Sequence, residues 1–184
     1  MNLFLWGALP YIAFTFLIVG TLVRFFYFER NWTTKSSEFL EKKQLRIANP
    51  LFHFGLLCVI GGHVVGVLIP KTWTAAIGIN DHMYHQGALY MGAVAGLIFI
   101  VGFLLLMKRR FTVAELKVNT SRLDKWLYLF LTLAIFSGMA GTLLNASGFF
   151  DYRVSIGPWF RSLLSFMPDP SLMEGVPFMF KFHM

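Results

Sequence analysis

Charge is scarce in this chain, and acidic charge most of all. Only 14% of its 184 residues are charged, nine of them Asp or Glu. A soluble domain of this size needs a far more polar surface, so the implied solvent is lipid. Cysteine is nearly absent too. Cys58 stands alone inside an apolar stretch, which excludes an intramolecular disulfide and an iron–sulfur cluster held by this chain alone. No Lys or Arg precedes the first apolar run, and the first basic residue, Arg24, comes near its end. That order excludes a cleaved signal peptide and favours a first helix that translocates its own N-terminus. Also missing are the ~10-residue alternating segments of a membrane barrel.

What is present is apolar and long. Hydrophobic residues make up 57% of the chain and the mean hydropathy is +0.63. Runs of roughly 18 apolar residues or more recur, each able to cross a hydrocarbon core of ~30 Å. The pattern predicts an all-α, polytopic transmembrane helix bundle forming a single domain over residues 1–184. Complete spans are predicted from about Leu3 to Tyr27, Asn49 to Pro70, Gly87 to Met107 and Lys125 to Asn145. The apolar run Val176–Met184 is too short to cross. It predicts the start of a fifth helix, in a fragment whose remaining helix and C-terminal tail are missing.

The net charge of +7 and the pI near 9.8 come without a basic helix or recognition motif, so nucleic acid is not a predicted partner. The basic residues are instead sorted by loop. Arg30, Lys35, Lys42, Lys43 and Arg46 follow the first span. Lys108, Arg109, Arg110, Lys117, Arg122 and Lys125 follow the third. The other two connections carry only Lys71, Arg153 and Arg161, so the count is 11 against 3. The positive-inside rule places the two basic loops in the cytoplasm and the N-terminus outside. Between the fourth span and the C-terminal run, Ser147–Glu174 is too polar to span. Gly157, Pro158 and Trp159 would suit the first turn of a short aromatic helix in the outer interface, and an irregular loop fits equally.

Five histidines are candidate site residues: His53, His63, His82, His85 and His183. An ionisable group within a span is costly and signals function. His53 and His63 share the second span; ten residues rise ~15 Å and leave their side chains ~80° apart. They can face one bundle interior, His53 in the inner half and His63 in the outer. Counted from the outer surface, His183 lies at the depth of His63 on a different helix. Two imidazoles at one depth can clamp a porphyrin iron from both faces. Gly61 and Gly62 before His63, and Gly55 after His53, would let a macrocycle approach the backbone. Gly62–Gly66 also fits ordinary helix packing, as does Gly92–Gly96. His82 and His85 fall in the outer loop before the third span. They are either solvated loop residues or proton acceptors at an outward quinol site.

The run Asn49-Pro50-Leu51-Phe52-His53-Phe54-Gly55, followed by Gly61-Gly62-His63-Val64-Val65-Gly66, resembles the second helix of the gamma subunit of respiratory nitrate reductase. So do the boundary Lys108-Arg109-Arg110-Phe111 and the ending Gly175 to His183. Trp32-Thr33, Lys35-Ser36-Ser37 and Gly157-Pro158-Trp159-Phe160 are similar to Gram-positive members. The resemblance implies a five-helix cytochrome b of the bacterial cytoplasmic membrane. Such a subunit carries two haem b groups and oxidises menaquinol or ubiquinol near the outer face. It feeds an iron–sulfur beta subunit and a molybdenum-containing alpha subunit on the cytoplasmic side. On that basis His63 and His183 match the ligands of the outer haem. His53 matches one ligand of the inner haem, whose partner would lie beyond Met184. Only one haem could then be completed here. Gly62, His63, His82 and His85 are the candidate quinol residues.

Nitrate enters through the resemblance alone: the chain has no ligand set for molybdenum and would not itself reduce nitrate. Two other readings stay open. One is the cytochrome b of a heterodisulfide- or sulfite-reductase-linked complex. The other is a non-haem anchor or transporter, against which stands the lack of Asp and Glu in every predicted span.

Overall fold

A computed structural model describes residues 2–27 and 40–184. The predicted cytoplasmic charges Arg30 and Lys35, and the motif residues Trp32, Thr33, Ser36 and Ser37, lie outside the described residues. All regular elements among the described residues are helical, and four helices are long and apolar enough to cross a membrane: α1 (Phe4–Tyr27), α2 (Lys43–Leu68), α4 (Asp81–Thr112) and α6 (Arg122–Leu144). Among the described residues there are also four short α-helices, α3 (Lys71–Ala76), α5 (Ala114–Val118), α7 (Ile156–Leu164) and α8 (Phe178–His183), and a 3-10 turn at Pro170–Met173. The four long helices are those predicted, and α8 is the expected C-terminal helical run.

α4 is the axis of the bundle, with α2 packed along it. Glycine makes this contact possible. A Cβ at Gly55 would stand 2.5 Å from the backbone nitrogen of Phe99, and one at Gly102 would collide with the backbone at Phe52. Small residues let two membrane helices approach, because packing rather than hydrophobicity holds them together in lipid. Gly55 therefore serves α2–α4 packing and not the approach of a macrocycle. Around that seam Phe99, Phe103 and Ile135 form a buried cluster with Phe52, Leu56 and Val59 against it. Gly96 plays the packing role expected of it: its missing Cβ would lie 2.5 Å from Met139 of α6. α1 stands apart, held near its N-terminal end where Tyr11 donates to the Leu163 carbonyl at 2.9 Å and the Trp159 indole donates to the Trp6 carbonyl at 2.8 Å.

The third long helix begins earlier in the chain than predicted, at Asp81 and not Gly87. Asn80 caps α4, its side chain accepting from the Met83 amide at 2.9 Å, and Asp81 occupies the first turn. His82 and His85 are consequently helical, not loop residues. The 32 residues of α4 measure ~48 Å, against a hydrocarbon core of ~30 Å. α7 is the short aromatic helix that Gly157, Pro158 and Trp159 suited. It buries Ile156, Trp159 and Leu163, and its Arg161 donates to the Val67 carbonyl at the end of α2 at 2.7 Å. A cation at a helix C-terminus satisfies an orphan carbonyl and suits the macrodipole.

At the opposite end, Arg109 is 4% exposed and grips Glu41, with Nε 2.8 Å from Oε2 and a second nitrogen donating to the Glu41 carbonyl at 2.7 Å. Amide donors from Gln44 and Leu45, together with Arg109, hold the Glu41 carboxyl below its ordinary range, the Gln44 bond contributing most. Arg110 pairs with Asp124 at 3.1 Å, inside the Ser121–Asp124 capping box of α6. Arg109 and Arg110 therefore tie separate segments of the chain together at this end.

Candidate functional site

His63 and His183 come together. Their ring centroids are 5.9 Å apart and the planes are inclined by 40°. His63 stands at the end of a regular α-helical stretch; directly after it, Val64–Leu68 widens into a π-helical turn. Such widened turns cluster at functional sites. His183 is brought in by α8, which docks on a face of α6 stripped of side-chain bulk: Ser137, Gly138 and Gly141. Phe180 meets Gly141, and the His183 ring lies over Gly138.

The hydrogen bonds fix which nitrogen each ring presents. His63 Nδ1 is 2.8 Å from the Val59 carbonyl, and His53 Nδ1 is 2.9 Å from the Asn49 carbonyl. A carbonyl only accepts, so Nδ1 carries the proton in both rings and Nε2 keeps its lone pair. Ser137 Oγ lies 3.2 Å from the Ala134 carbonyl and 3.0 Å from His183 Nδ1. The hydroxyl has one proton, and it goes to the carbonyl. His183 Nδ1 must then donate, leaving its Nε2 bare as well. All three rings are set as metal ligands are, with one nitrogen oriented by a partner and the other free to coordinate.

An iron between two imidazole nitrogens at ~2 Å each would put the ring centroids roughly 6 Å apart. The His63–His183 separation agrees with that. Gly61 and Gly62 have open space where a Cβ would be, and His63 is exposed. The donor set, the tautomers and the empty space beside the glycines all fit a porphyrin held between α2 and α8. No group of three His, Cys, Asp or Glu side chains converges among the described residues, but a porphyrin iron needs only two from the protein.

His53 has no such counterpart. His63 and His183 face each other about 15 Å away by helix rise, and His82 and His85 belong to the first turns of α4. His85 Nε2 is 3.3 Å from the Ala146 carbonyl, the opposite nitrogen from that engaged in the other rings, and its ring lies against Gly148. Of the four candidate quinol residues, Gly62 and His63 are adjacent on α2 and border the open space, whereas His85 is turned toward the α6–α7 connection.

Ser137 and Gly138 were not singled out from the sequence. A Ser-Gly pair mid-span, with Gly141 three residues on, is the same small-residue signal that was noticed in the second and third spans. A consequence can be measured. A Cβ at Gly138 would be 2.7 Å from His183 Cε1, so Gly138→Ala must displace the ring. Overpacking of this kind costs about 1–3 kcal/mol, a ten- to hundredfold loss of affinity at the site. Haem retained per mole of purified protein should fall while helix content stays unchanged. Undiminished haem in Gly138→Ala would contradict the placement of His183.

Comparison with known proteins places the chain in a family. The family described as nitrate reductase gamma subunit matches residues 2–184. A nitrate reductase gamma chain from Bacillus subtilis (strain 168) is 47% identical over 180 residues, covering 97% of this chain and 81% of that one. The respiratory nitrate reductase 1 gamma chain of Escherichia coli (strain K12) is 26% identical over 186 residues, covering 100% of this chain and 82% of that one. The nitrate reductase-like protein NarX of Mycobacterium tuberculosis (strain ATCC 25618 / H37Rv) is 38% identical over 181 residues, covering 97% of this chain and 28% of that one.

Proposed function

Since the chain belongs to the nitrate reductase gamma-subunit family, we propose that it is the quinol-oxidising, haem b-bearing membrane subunit of a respiratory nitrate reductase. The observation that carries this reading is the His63–His183 pair, 5.9 Å between centroids with Nε2 free on both rings. When bound, a porphyrin iron with two axial imidazoles supplies one-electron transfer and offers no open position for O₂.

The rest is the work of this chain's own residues. The Val59 carbonyl and the Ser137 hydroxyl hold the two imidazoles in the ligating tautomer. The glycines at 61 and 62 leave room for a flat ring, and α8 closes on it from the α6 side. Quinol approaches the same end of the bundle, where Gly62 and His63 are exposed and His82, in the first turn of α4, is the candidate proton acceptor, His85 being turned toward the α6–α7 connection. His53 supplies one ligand for a second haem nearer the inner side. The distribution of basic residues supports an N-terminus outside, in the cytoplasmic membrane of a bacterium. The iron–sulfur and molybdenum subunits then dock at the end marked by Arg109, Arg110 and Lys117, and nitrate is reduced there, not in this chain.

The test is spectroscopic. The purified chain should show the reduced-minus-oxidised spectrum of a six-coordinate b-type cytochrome, and quinol should reduce it without other subunits. A colourless protein would leave the non-haem anchor as the better reading. A b-type spectrum that responds to no quinol would point to a different respiratory partner.

A further inference from the structure

Outward of His63 the bundle ends in a polar cap containing a charge that lacks a counter-ion. Arg153 is 4% exposed. Its guanidinium lies flat over the Tyr84 ring, Cζ 3.7 Å from the centroid, and one terminal nitrogen donates to Thr74 Oγ1 at 2.8 Å. Its Nε is buried and has no hydrogen-bond partner. The nearest carboxylate in sequence, Asp151, is already engaged. Its Oδ1 accepts from the Arg153 backbone amide at 2.9 Å, and its Oδ2 lies 3.0 Å from Lys71 Nζ. Lys71 also holds Asp81 at 2.8 Å, and this double pairing raises the lysine above its ordinary pKa, Asp81 contributing most. Both acids thus serve Lys71, and no described carboxylate reaches the Arg153 side chain.

Arginine cannot shed its proton. A buried, unpaired guanidinium costs several kcal/mol, which a cation–π contact and one neutral hydrogen bond recover only in part. The arrangement is complete when an anion joins it. The position narrows the choice of anion. The Tyr84 hydroxyl, with the Tyr152 hydroxyl 3.4 Å from it, lies against Gly66 of α2, so close that a Cβ there would meet both. Gly66 is three residues outward from His63, a rise of ~4.5 Å. The guanidinium, stacked on the Tyr84 ring, is thus linked through the Tyr84 hydroxyl to the turn of α2 that follows His63.

We propose that Arg153, with the Tyr84 hydroxyl beside it, receives a propionate carboxylate of the outer haem. The inference rests on the haem reading given above. An apolar macrocycle carrying two carboxylates on one edge needs a cation for that edge, and Arg153 is a buried cation that no described carboxylate reaches. Guanidinium and carboxylate match in geometry as well as in charge, and such pairs are the stronger class of hydrogen bond. Arg153 is then a positioning residue that fixes the rotation of the ring about the His63–His183 axis. Its buried positive charge also disfavours the oxidised, more positive iron.

Redox titration of the membrane-bound complex tests this without recourse to turnover. In Arg153→Gln the outer haem should titrate at a lower midpoint potential, with the inner haem unmoved. Arg153→Lys, which keeps the charge, should shift it less. Where Arg153→Gln fails to assemble, the wild-type protein gives a second measure. Stripped of haem and reloaded, it should retain iron protoporphyrin IX about tenfold more tightly than the dimethyl ester, the factor expected of one charge-assisted hydrogen bond. Equal retention of acid and ester, or an outer potential identical in wild type and Arg153→Gln, would overturn the assignment. A wild-type protein that binds neither porphyrin would instead refute the haem reading itself.

Discussion

His63→Ala and His183→Ala are each expected to remove one b-type haem and to bring quinol-dependent reduction down to background. The two rings face each other at 5.9 Å and each presents a bare Nε2, so neither can substitute for the other. Loss of one leaves a single protein ligand in a site bordered by apolar residues and glycine. The effect should be selective. His53 lies about 15 Å deeper, and His53→Ala should leave the outer haem's spectrum intact while depleting the inner one. The pairs of variants therefore separate the two sites: complementary losses are expected. Full haem content in either His63→Ala or His183→Ala, or the same haem lost from both His53→Ala and His63→Ala, would defeat the assignment. Ser137→Ala offers a graded control. It removes the hydroxyl that accepts from His183 Nδ1, and the loss of such an orienting partner typically costs 10- to 100-fold in metal affinity, roughly.

The sequence discloses as much as it does because the bilayer makes depth a linear coordinate. Four spans follow from apolar length alone. The meeting of His63 with His183 follows from counting residues inward from the outer ends of two helices. Such counting succeeds where elements are regular and long. It fails where a cap decides the boundary. Asn80 extends α4 outward past His82 and His85, and no feature of the apolar run announces that extension. It is also blind to partners across helices. Gly55 sits beside His53 in sequence and so invited a reading in terms of the cofactor, yet its surface is taken up by the Phe99 backbone. Gly61 and Gly62, in the same helix and of the same residue type, are open. Helix period alone cannot separate the two cases, since which face meets α4 is a property of both helices. Arg153 is the clearest instance. As one of three basic residues in the outer connections it counted only toward topology, and only its burial beneath α3 and over Tyr84 shows it as a charge in need of a partner.

Turnover should also acidify the outer side of the membrane, one proton for each electron delivered inward. The argument begins with placement. His63, His183 and the two α4 histidines lie toward the end of the bundle that carries Lys71, Arg153 and Arg161, the face poor in positive charge. His53, Arg109 and Lys117 lie toward the opposite end. Under the positive-inside rule the first end is outside. Quinol oxidised there would release its protons near the first turn of α4, on the outer side, so outer water is their nearest sink. The electrons must reach the inner face, and each one crossing the full membrane works against ~2.3 kcal/mol per 100 mV. Turnover should therefore slow as the membrane potential builds and quicken when an ionophore collapses it. The measurement uses sealed cells or right-side-out vesicles, with quinol as donor and an acceptor confined to the inside. External pH should fall in step with acceptor reduction, and the fall should vanish in His63→Ala. Protons appearing inside, or a rate indifferent to membrane potential, would place quinol oxidation near His53 and reverse the direction argued here.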